Sequence, residues 1–371
     1  MLILNFHYFR NMEKKEPLNM TLKTAAVFIS LAGIVTLLLF FKSFLQPLIV
    51  ALLLWFIIIE VRSFLSRLKV KGRSLPKFIL TLVSTLIVFF IFYLSIDIVV
   101  TNIEKLAANF DHYSKNIIAS LEQLKGLLGI ENLGDNIQEQ KQAIVKSAAN
   151  AAASLASFIG SMLMVLFYVI FILLEEANFK KKIEKMYHLS EGNNLQRTWK
   201  SIHALMHDYM SIKMLTSFIT GLLSFFVLLF LGIELPALWA FIIFILNFIP
   251  SIGSIIATAF PVLFSYVQYA DIKQTVSVFI GILAIQVLVG NVLEPKLMGN
   301  KLNLSPLVVI IGLVFWGFIW GVMGMLLSVP IMASLMIVFS QFRGTRRLAI
   351  FLSQNGEIDS LVPEENEDSI E

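Results

Sequence analysis

Long runs of apolar residues, several close to the ~20 that a helix needs to cross a ~30 Å hydrocarbon layer, leave this chain no soluble fold. They fall at about 24–41, 44–59, 78–100, 151–174 and 214–232. A broken pair follows at about 236–268, then a run at 275–290 and a second broken pair at 306–341. Backbone amides in lipid must bond within the protein, so spans are helices or strands of a closed barrel. Ten-residue stretches of alternating polarity are absent from the sequence, which selects helices. Composition agrees: 57% of residues are hydrophobic, 15% are charged, and 32 Phe stand against 8 Tyr, where a soluble domain carries about 25% charge. The expected fold class is all-α, a polytopic integral membrane protein of about eight membrane segments.

The first run is followed by Lys42-Ser43-Phe44 and not by a small-residue cleavage site, so it reads as an uncleaved helix. Met12 and Met20 are alternative starts. With no cysteine there is no disulfide or thiolate metal site, and no cofactor is expected. Basic residues concentrate in the short connections: Arg10 to Lys23, Arg62 to Lys77, Lys180 to Lys213, Lys296 and Lys301, and Arg343 to Arg347. Placing all of these in the cytoplasm closes the topology. Both termini are then cytoplasmic, with Lys42, residues 232–236 and Lys273 outside. No groove-reading motif accompanies these basic residues, so nucleic acid is not an expected partner.

The domain order follows. Residues 1–23 form a cytoplasmic N-terminal segment, 24–100 three membrane helices, and 101–150 an extracytoplasmic helical loop. Ile103, Leu106, Phe110, Tyr113, Ile117, Leu121, Leu124 and Leu128 share one helix face in that loop, which packs either on its own protomer or on a neighbouring subunit. Residues 151–174 form a fourth helix and 175–213 a cytoplasmic helical arm. His203 and His207 share a face of that arm, but no third ligand stands nearby, and a solvated helix face is the expectation. Residues 214–345 form a transport core, and 346–371 an acidic disordered tail.

The core holds the two informative breaks. Residues 236–249 span only about 21 Å as a helix at ~1.5 Å per residue. Pro250 then removes a donor and Gly253 frees the backbone, with Asn247, Ser251 and Ser254 supplying polar groups before the chain returns through 255–268. Residues 306–320 repeat the device at Gly321 and Gly324 before 325–341. Two half-length helices about a polar break describe a re-entrant hairpin, tolerated only inside protein or beside water. By the charge topology the two hairpins enter from opposite faces, the arrangement that marks a transporter's binding site. Four plain spans with Gly and Pro at packing contacts are the alternative. Between the hairpins, Gln286, Asn291 and Glu294 interrupt an apolar run, and Pro295 stops regular helix, which would free carbonyls of 291–294 for a ligand. The other reading caps the helix with Glu294 paired to Lys296 or Lys301. Asp97 is expected to snorkel to the interface, and Glu234 to be a solvated loop residue.

At these residues the sequence resembles the autoinducer-2 exporter family. The blocks concerned are Asn247-Phe-Ile-Pro-Ser-Ile-Gly-Ser254, Asn291-Val-Leu-Glu-Pro-Lys-Leu-Met-Gly299, and Leu304-Ser-Pro through Gly312, Trp316-Gly-Phe-Ile-Trp-Gly-Val-Met-Gly324 and Ser328-Val-Pro330. Leu75-Pro76-Lys77 also fits, and the resemblance covers about 24–345. It implies a helical, homo-oligomeric permease of a prokaryotic inner membrane. Some members export a quorum-sensing furanone derivative, and others are linked to sodium or lithium exchange for protons.

The expected function is export of a small polar solute by secondary or facilitated transport, because no phosphate-binding Gly-x-x-x-x-Gly-Lys-Ser/Thr is present. The alternative is a sodium(lithium)/proton antiporter carrying a monovalent cation, with Glu294 and Asp97 as its titratable groups. A passive channel ranks third. An intramembrane enzyme ranks last, since His-Glu-x-x-His and Gly-x-Ser-x-Gly are both missing. The candidate solute-binding residues are Asn247, Pro250, Ser251, Gly253, Ser254, Gln286, Asn291, Glu294, Pro295, Gly321 and Gly324, gathered where the hairpin tips approach. No catalytic or metal-binding residue is expected.

Overall fold

A computed structural model describes residues 20–67, 75–109, 112–116, 162–179, 181, 182, 185, 194–299, 302–342 and 344–358. Outside them lie most of the expected 101–150 loop beyond Asn116, the first part of the fourth span, and parts of the 175–213 arm. The chain divides into two compact units, Met1–Gln46 and Pro47–Glu371. In the first, α1 (Met20–Phe40) is apolar all round and leaves Phe28, Ile29 and Phe40 exposed, as suits a helix whose solvent is lipid. A turn at Phe41 leads into α2 (Lys42–Ser66), which passes Pro47 into the second unit.

α2, α3 (Lys77–Ala108) and α4 (Met162–Phe179) share a core of Ala51, Leu54, Ile58, Val88, Val165 and Val169. These recur at helical steps of three, four and seven, so each helix turns one stripe inward. At one end of the three helices Glu176 is buried and held by Arg62 through two bonds of 2.9 and 3.0 Å, with Lys77 at 3.4 Å. One carboxylate thus joins three helices. α3 runs on to Ala108, past the expected end near 100, because nothing between Lys77 and Ala108 breaks a helix.

α5 (Asn194–Phe230) is 37 residues long. The expected arm and fifth span are therefore one helix over 194–230, which reaches its first glycine at Gly221. α5 packs on both of the elements that the sequence marks as broken. The first is α6 (Pro236–Leu246), 11 residues, followed by α7 (Ile252–Tyr269). α8 (Ile272–Val287), a π-helical turn (Leu288–Leu293) and α9 (Glu294–Met298) form one continuous run. α10 (Pro306–Trp320), 15 residues, and α11 (Val322–Gln341) make the second hairpin. α12 (Arg346–Leu352) packs on α11. Among the described residues seven helices are long and apolar enough to cross a membrane, α7 and α11 among them. Each hairpin therefore pairs one short arm with one full-length arm, where the sequence suggested two half-length arms.

Both hairpins close by the same device. The amides of Asn247, Phe248 and Ile249 tighten the end of α6 onto carbonyls three and four residues back. Pro250 then ends the ladder, and Ser251 takes φ 56°, ψ −60° while the Ile252 amide bonds the Pro250 carbonyl. That is a γ-turn of the rare, strained form. α7 now lies directly on α6: a Cβ on Gly253 would stand 1.9 Å from the Leu246 carbonyl oxygen. In the second hairpin Gly321 makes the turn at φ 63°, and a Cβ on Gly324 would stand 1.8 Å from the Trp316 carbonyl oxygen. The two glycines are where one arm crosses the other.

Two expectations are corrected. Pro295 does not stop the helix: the amide of Glu294 bonds the Val289 carbonyl, five residues back, and helix continues to Met298. The wider π turn gives room where a proline ring would strike the carbonyl four residues earlier in an α-helix. Nor is the tail disordered from 346. α12 forms, Leu304 and Ser353 pair as an isolated bridge, and the Asn303 side-chain amide donates to the Glu357 carbonyl at 2.6 Å. Residues 359–371 lie outside the described residues.

Candidate functional site: a buried polar seam on α5

Tyr209, Lys213, Thr216, Ser217, Thr220 and Ser224 recur at helical steps along one face of α5, and all six are buried. In a helix read as crossing lipid this is the face turned to protein, and the opposite face carries the exposed Phe218, Leu222 and Phe226. Thr220 and Thr216 return hydrogen bonds to their own helix, Thr220 Oγ1 to the Thr216 carbonyl at 2.8 Å and Thr216 Oγ1 to that of Lys213 at 3.3 Å.

Three elements converge on the stripe. Lys213, 5% exposed, donates from Nζ to Glu294 Oε1 at 2.6 Å, and the single Thr216 hydroxyl proton that faces the Lys213 carbonyl can turn instead to the other Glu294 oxygen, 3.4 Å away. Asn247, at the end of α6, donates from Nδ2 to Ser217 Oγ at 3.1 Å with both residues buried. Gly221 lets α6 approach, since a Cβ there would be 3.1 Å from the Ala240 carbonyl oxygen. α11 lies against α5 as well. Among the described residues, buried Tyr209 Oη, Ser224 Oγ and Gln286 Nε2 find no hydrogen-bond partner. Such groups are costly to bury unpaired, so a seam that keeps two of them, Tyr209 and Ser224, has hydrogen-bonding capacity to spare.

The residues singled out from sequence therefore separate into groups. Asn247 and Glu294 reach the seam, Asn247 at Ser217 and Glu294 at Lys213 and Thr216. Gln286 is buried with its Nε2 unpaired. Gly253 and Gly324 serve close backbone crossings, and Gly321 the turn. Pro250 is half-buried and Ser254 bonds the Ser251 carbonyl at 2.8 Å, while Ser251, Asn291 and Pro295 are exposed. Among the described residues the two hairpins share no extended packing with each other, and α5 is what touches both. Glu294 pairs with Lys213, a lysine expected among the loop charges, and not with Lys296. Lys301 lies outside the described residues. The signal for Lys213 was present: it sits three or four residues before a line of small hydroxyl residues.

The base of the first hairpin is a second polar cluster. Tyr113 Oη donates to Glu234, and burial together with that carboxylate pushes the phenol up to about 12. Gln268 bonds both the Glu234 amide, at 2.9 Å, and the Gly232 carbonyl, at 3.1 Å. Asn116 Nδ2 reaches the carbonyls of Val267 and Gln268. Glu234 is exposed, as expected of a loop residue, and in addition holds Tyr113 and Gln268. His207 Nε2 stands 2.6 Å from Glu60 of α2, with Asp208 at 3.5 Å from Nδ1, and Asp97 is exposed on α3.

A family profile described as AI-2E family transporter matches residues 28–344. A putative transport protein of Borreliella burgdorferi is 30% identical over 315 residues, 83% of this chain and 84% of that one. The AI-2 transport protein TqsA of Escherichia coli (strain K12) is 28% identical over 319 residues, 85% of this chain and 90% of its own. The putative transport protein YhhT of the same organism is 25% identical over 355 residues, covering 91% and 95%.

Proposed function

Because the chain belongs to the AI-2E family of transporters, we propose that it moves a small polar solute across the inner membrane along the buried polar seam of α5. The observation that carries this reading is the line from Tyr209 to Ser224, buried on a helix whose opposite face exposes Phe218, Leu222 and Phe226. Polar residues inside a membrane bundle are retained at a cost and mark solute pathways. The seam is lined by hydroxyls and amides, and its single cation, Lys213, is balanced by Glu294. It therefore suits a solute recognised by hydrogen bonds.

In this reading the hairpins are re-entrant. α6 covers about 17 Å and α10 about 23 Å at ~1.5 Å per residue, short of a ~30 Å core. Their short arms end inside the bundle, and Asn247 meets the seam there. Both termini face the cytoplasm, as the loop charges require. AI-2, the solute in the name of the Escherichia coli relative, is the first solute to test, and its path is outward. Energy comes from the solute's own gradient or a coupled ion, since the sequence holds no Gly-x-x-x-x-Gly-Lys-Ser/Thr.

Proteoliposomes loaded with AI-2, with and without an imposed proton or sodium gradient, test the reading. Protein-dependent release that falls when Thr220 is replaced by Leu supports it. Release no faster than from protein-free vesicles under every gradient would exclude AI-2, and release unaffected by Thr220→Leu would exclude the seam.

A further inference from the structure

Lys213 and Glu294 stand near one end of the seam, with Tyr209 alone beyond them, and we infer that their ion pair is a latch closing that end to solute. This rests on the seam being the solute path. Position is the first argument. Lys213 lies about 26 Å along α5 from Phe230 at ~1.5 Å per residue, at the end remote from the 231–235 turn. Thr216, Ser217, Thr220 and Ser224 all lie between the pair and that turn. A bond across the seam here separates the stripe from the face that the loop charges assign to the cytoplasm.

The second argument is connectivity. Lys213 belongs to α5 and Glu294 opens α9, 81 residues away in the chain. Their bond of 2.6 Å joins two elements that can part without breaking either helix. Neither group has a lipid alternative, so separation is favourable only when water or a solute takes the place of the lost partner. Opening is in this way tied to occupancy.

The third argument is the element that carries Glu294. The residue directly follows the π turn Leu288–Leu293, and π turns recur at functional sites. Relaxing one π turn to α shifts the following residues by one position, about 100° around the axis, which takes Glu294 off Lys213. Pro295 opposes that change, because its ring would then press on the Asn291 carbonyl. The closed register is accordingly the resting one, with a discrete open register available.

The absence of cysteine makes the test clean. A single Thr220→Cys, beyond the latch, is treated with a small charged methanethiosulfonate in membrane vesicles of each orientation. Modification from the face nearer Lys213 is expected to be slow with the pair intact and about tenfold faster once Glu294→Gln breaks it, the population change that ~1.4 kcal/mol produces. Lys213→Met makes the same break from the other side if Glu294→Gln fails to reach the membrane. Exchanging the charges, Lys213→Glu with Glu294→Lys, should return the slow rate. Equal rates in all backgrounds, or fast modification that the exchange does not reverse, would overturn the latch and leave the seam standing. A Thr220→Cys that reacts from neither face in any background would overturn both.

Discussion

Breaking the bond between Asn247 and Ser217 should reveal how firmly the tip of the first hairpin is fixed to α5. The Nδ2 to Oγ distance is 3.1 Å and neither residue is open to solvent. Polar contacts between membrane helices measure about 0.6 kcal/mol on average and at most about 1.7, and this one is short and enclosed. Ser217→Ala removes the acceptor and leaves a buried amide unpaired, which costs about 1–3 kcal/mol. Asn247→Ala removes the amide altogether and leaves a void beside Ser217. Because each single change forfeits the same bond, the double variant should be more stable than the sum of the two predicts, by about 1 kcal/mol. The assay is reversible unfolding of the purified protein in bicelles for all four members of the cycle. Additivity within about 0.3 kcal/mol would refute the reasoning and leave the hairpin tip held by apolar packing alone.

The paired glycines should be unequal in a defined way. Gly253→Ala and Gly324→Ala each drive a methyl onto a backbone carbonyl at 1.9 and 1.8 Å, so neither should yield monodisperse protein on size exclusion. Gly321→Ala meets open space and only a strained φ of 63°, costing about 1–3 kcal/mol, and should survive with a lowered melting temperature. Where α2 and α4 meet, Arg62→Ala strips the bidentate partner from buried Glu176 and should cost about 3–5 kcal/mol, whereas Arg62→Lys should cost less; thermal unfolding in detergent separates them. The Tyr113 phenol is raised from 10.0 to about 12, so its protonated form is favoured in the folded state. Its contribution is complete below pH 10.0 and is lost as pH climbs to about 12, and thermal scans across that window should slope downward in the native protein and stay flatter in Tyr113→Phe.

Much of the architecture is legible in the residues, and for a physical reason. Lipid forces apolar helices, so spans announce themselves by composition, and Pro250 with Gly253 announces a reversal by the donor one lacks and the Cβ the other lacks. The limits are equally physical. Lys213 looks like a loop charge because a count of flanking cations is blind to a helix that begins at Asn194 and carries the lysine inward. Its pairing with Glu294 depends on which faces of α5 and α9 pack together, and no local pattern encodes that. Glu234 in a short turn reads as solvated, and it is exposed, but its bond to Tyr113, more than a hundred residues earlier, depends on tertiary packing that the turn does not encode. Ser251 at φ 56° runs against the preference of a non-glycine residue and is set by the crossing at Gly253. Pro295 predicted a break, but a π turn absorbed the ring and kept the helix. The acidic character of the last residues suggested disorder from 346, yet α12 and Ser353 fold back on the start of the second hairpin.

The central claim is that solute follows the polar face of α5, and thiol modification of single cysteines tests it most directly. Cysteine at Ser217, Thr220 and Ser224 is compared with cysteine at Phe218, Leu222 and Phe226 on the exposed face, each in reconstituted protein treated with a hydrophilic thiol reagent before solute flux is measured. The account predicts that modification at the three seam positions stops flux and that the three outward positions neither react nor matter. Flux that survives a modified Thr220→Cys, or is lost from the outward face instead, would contradict it.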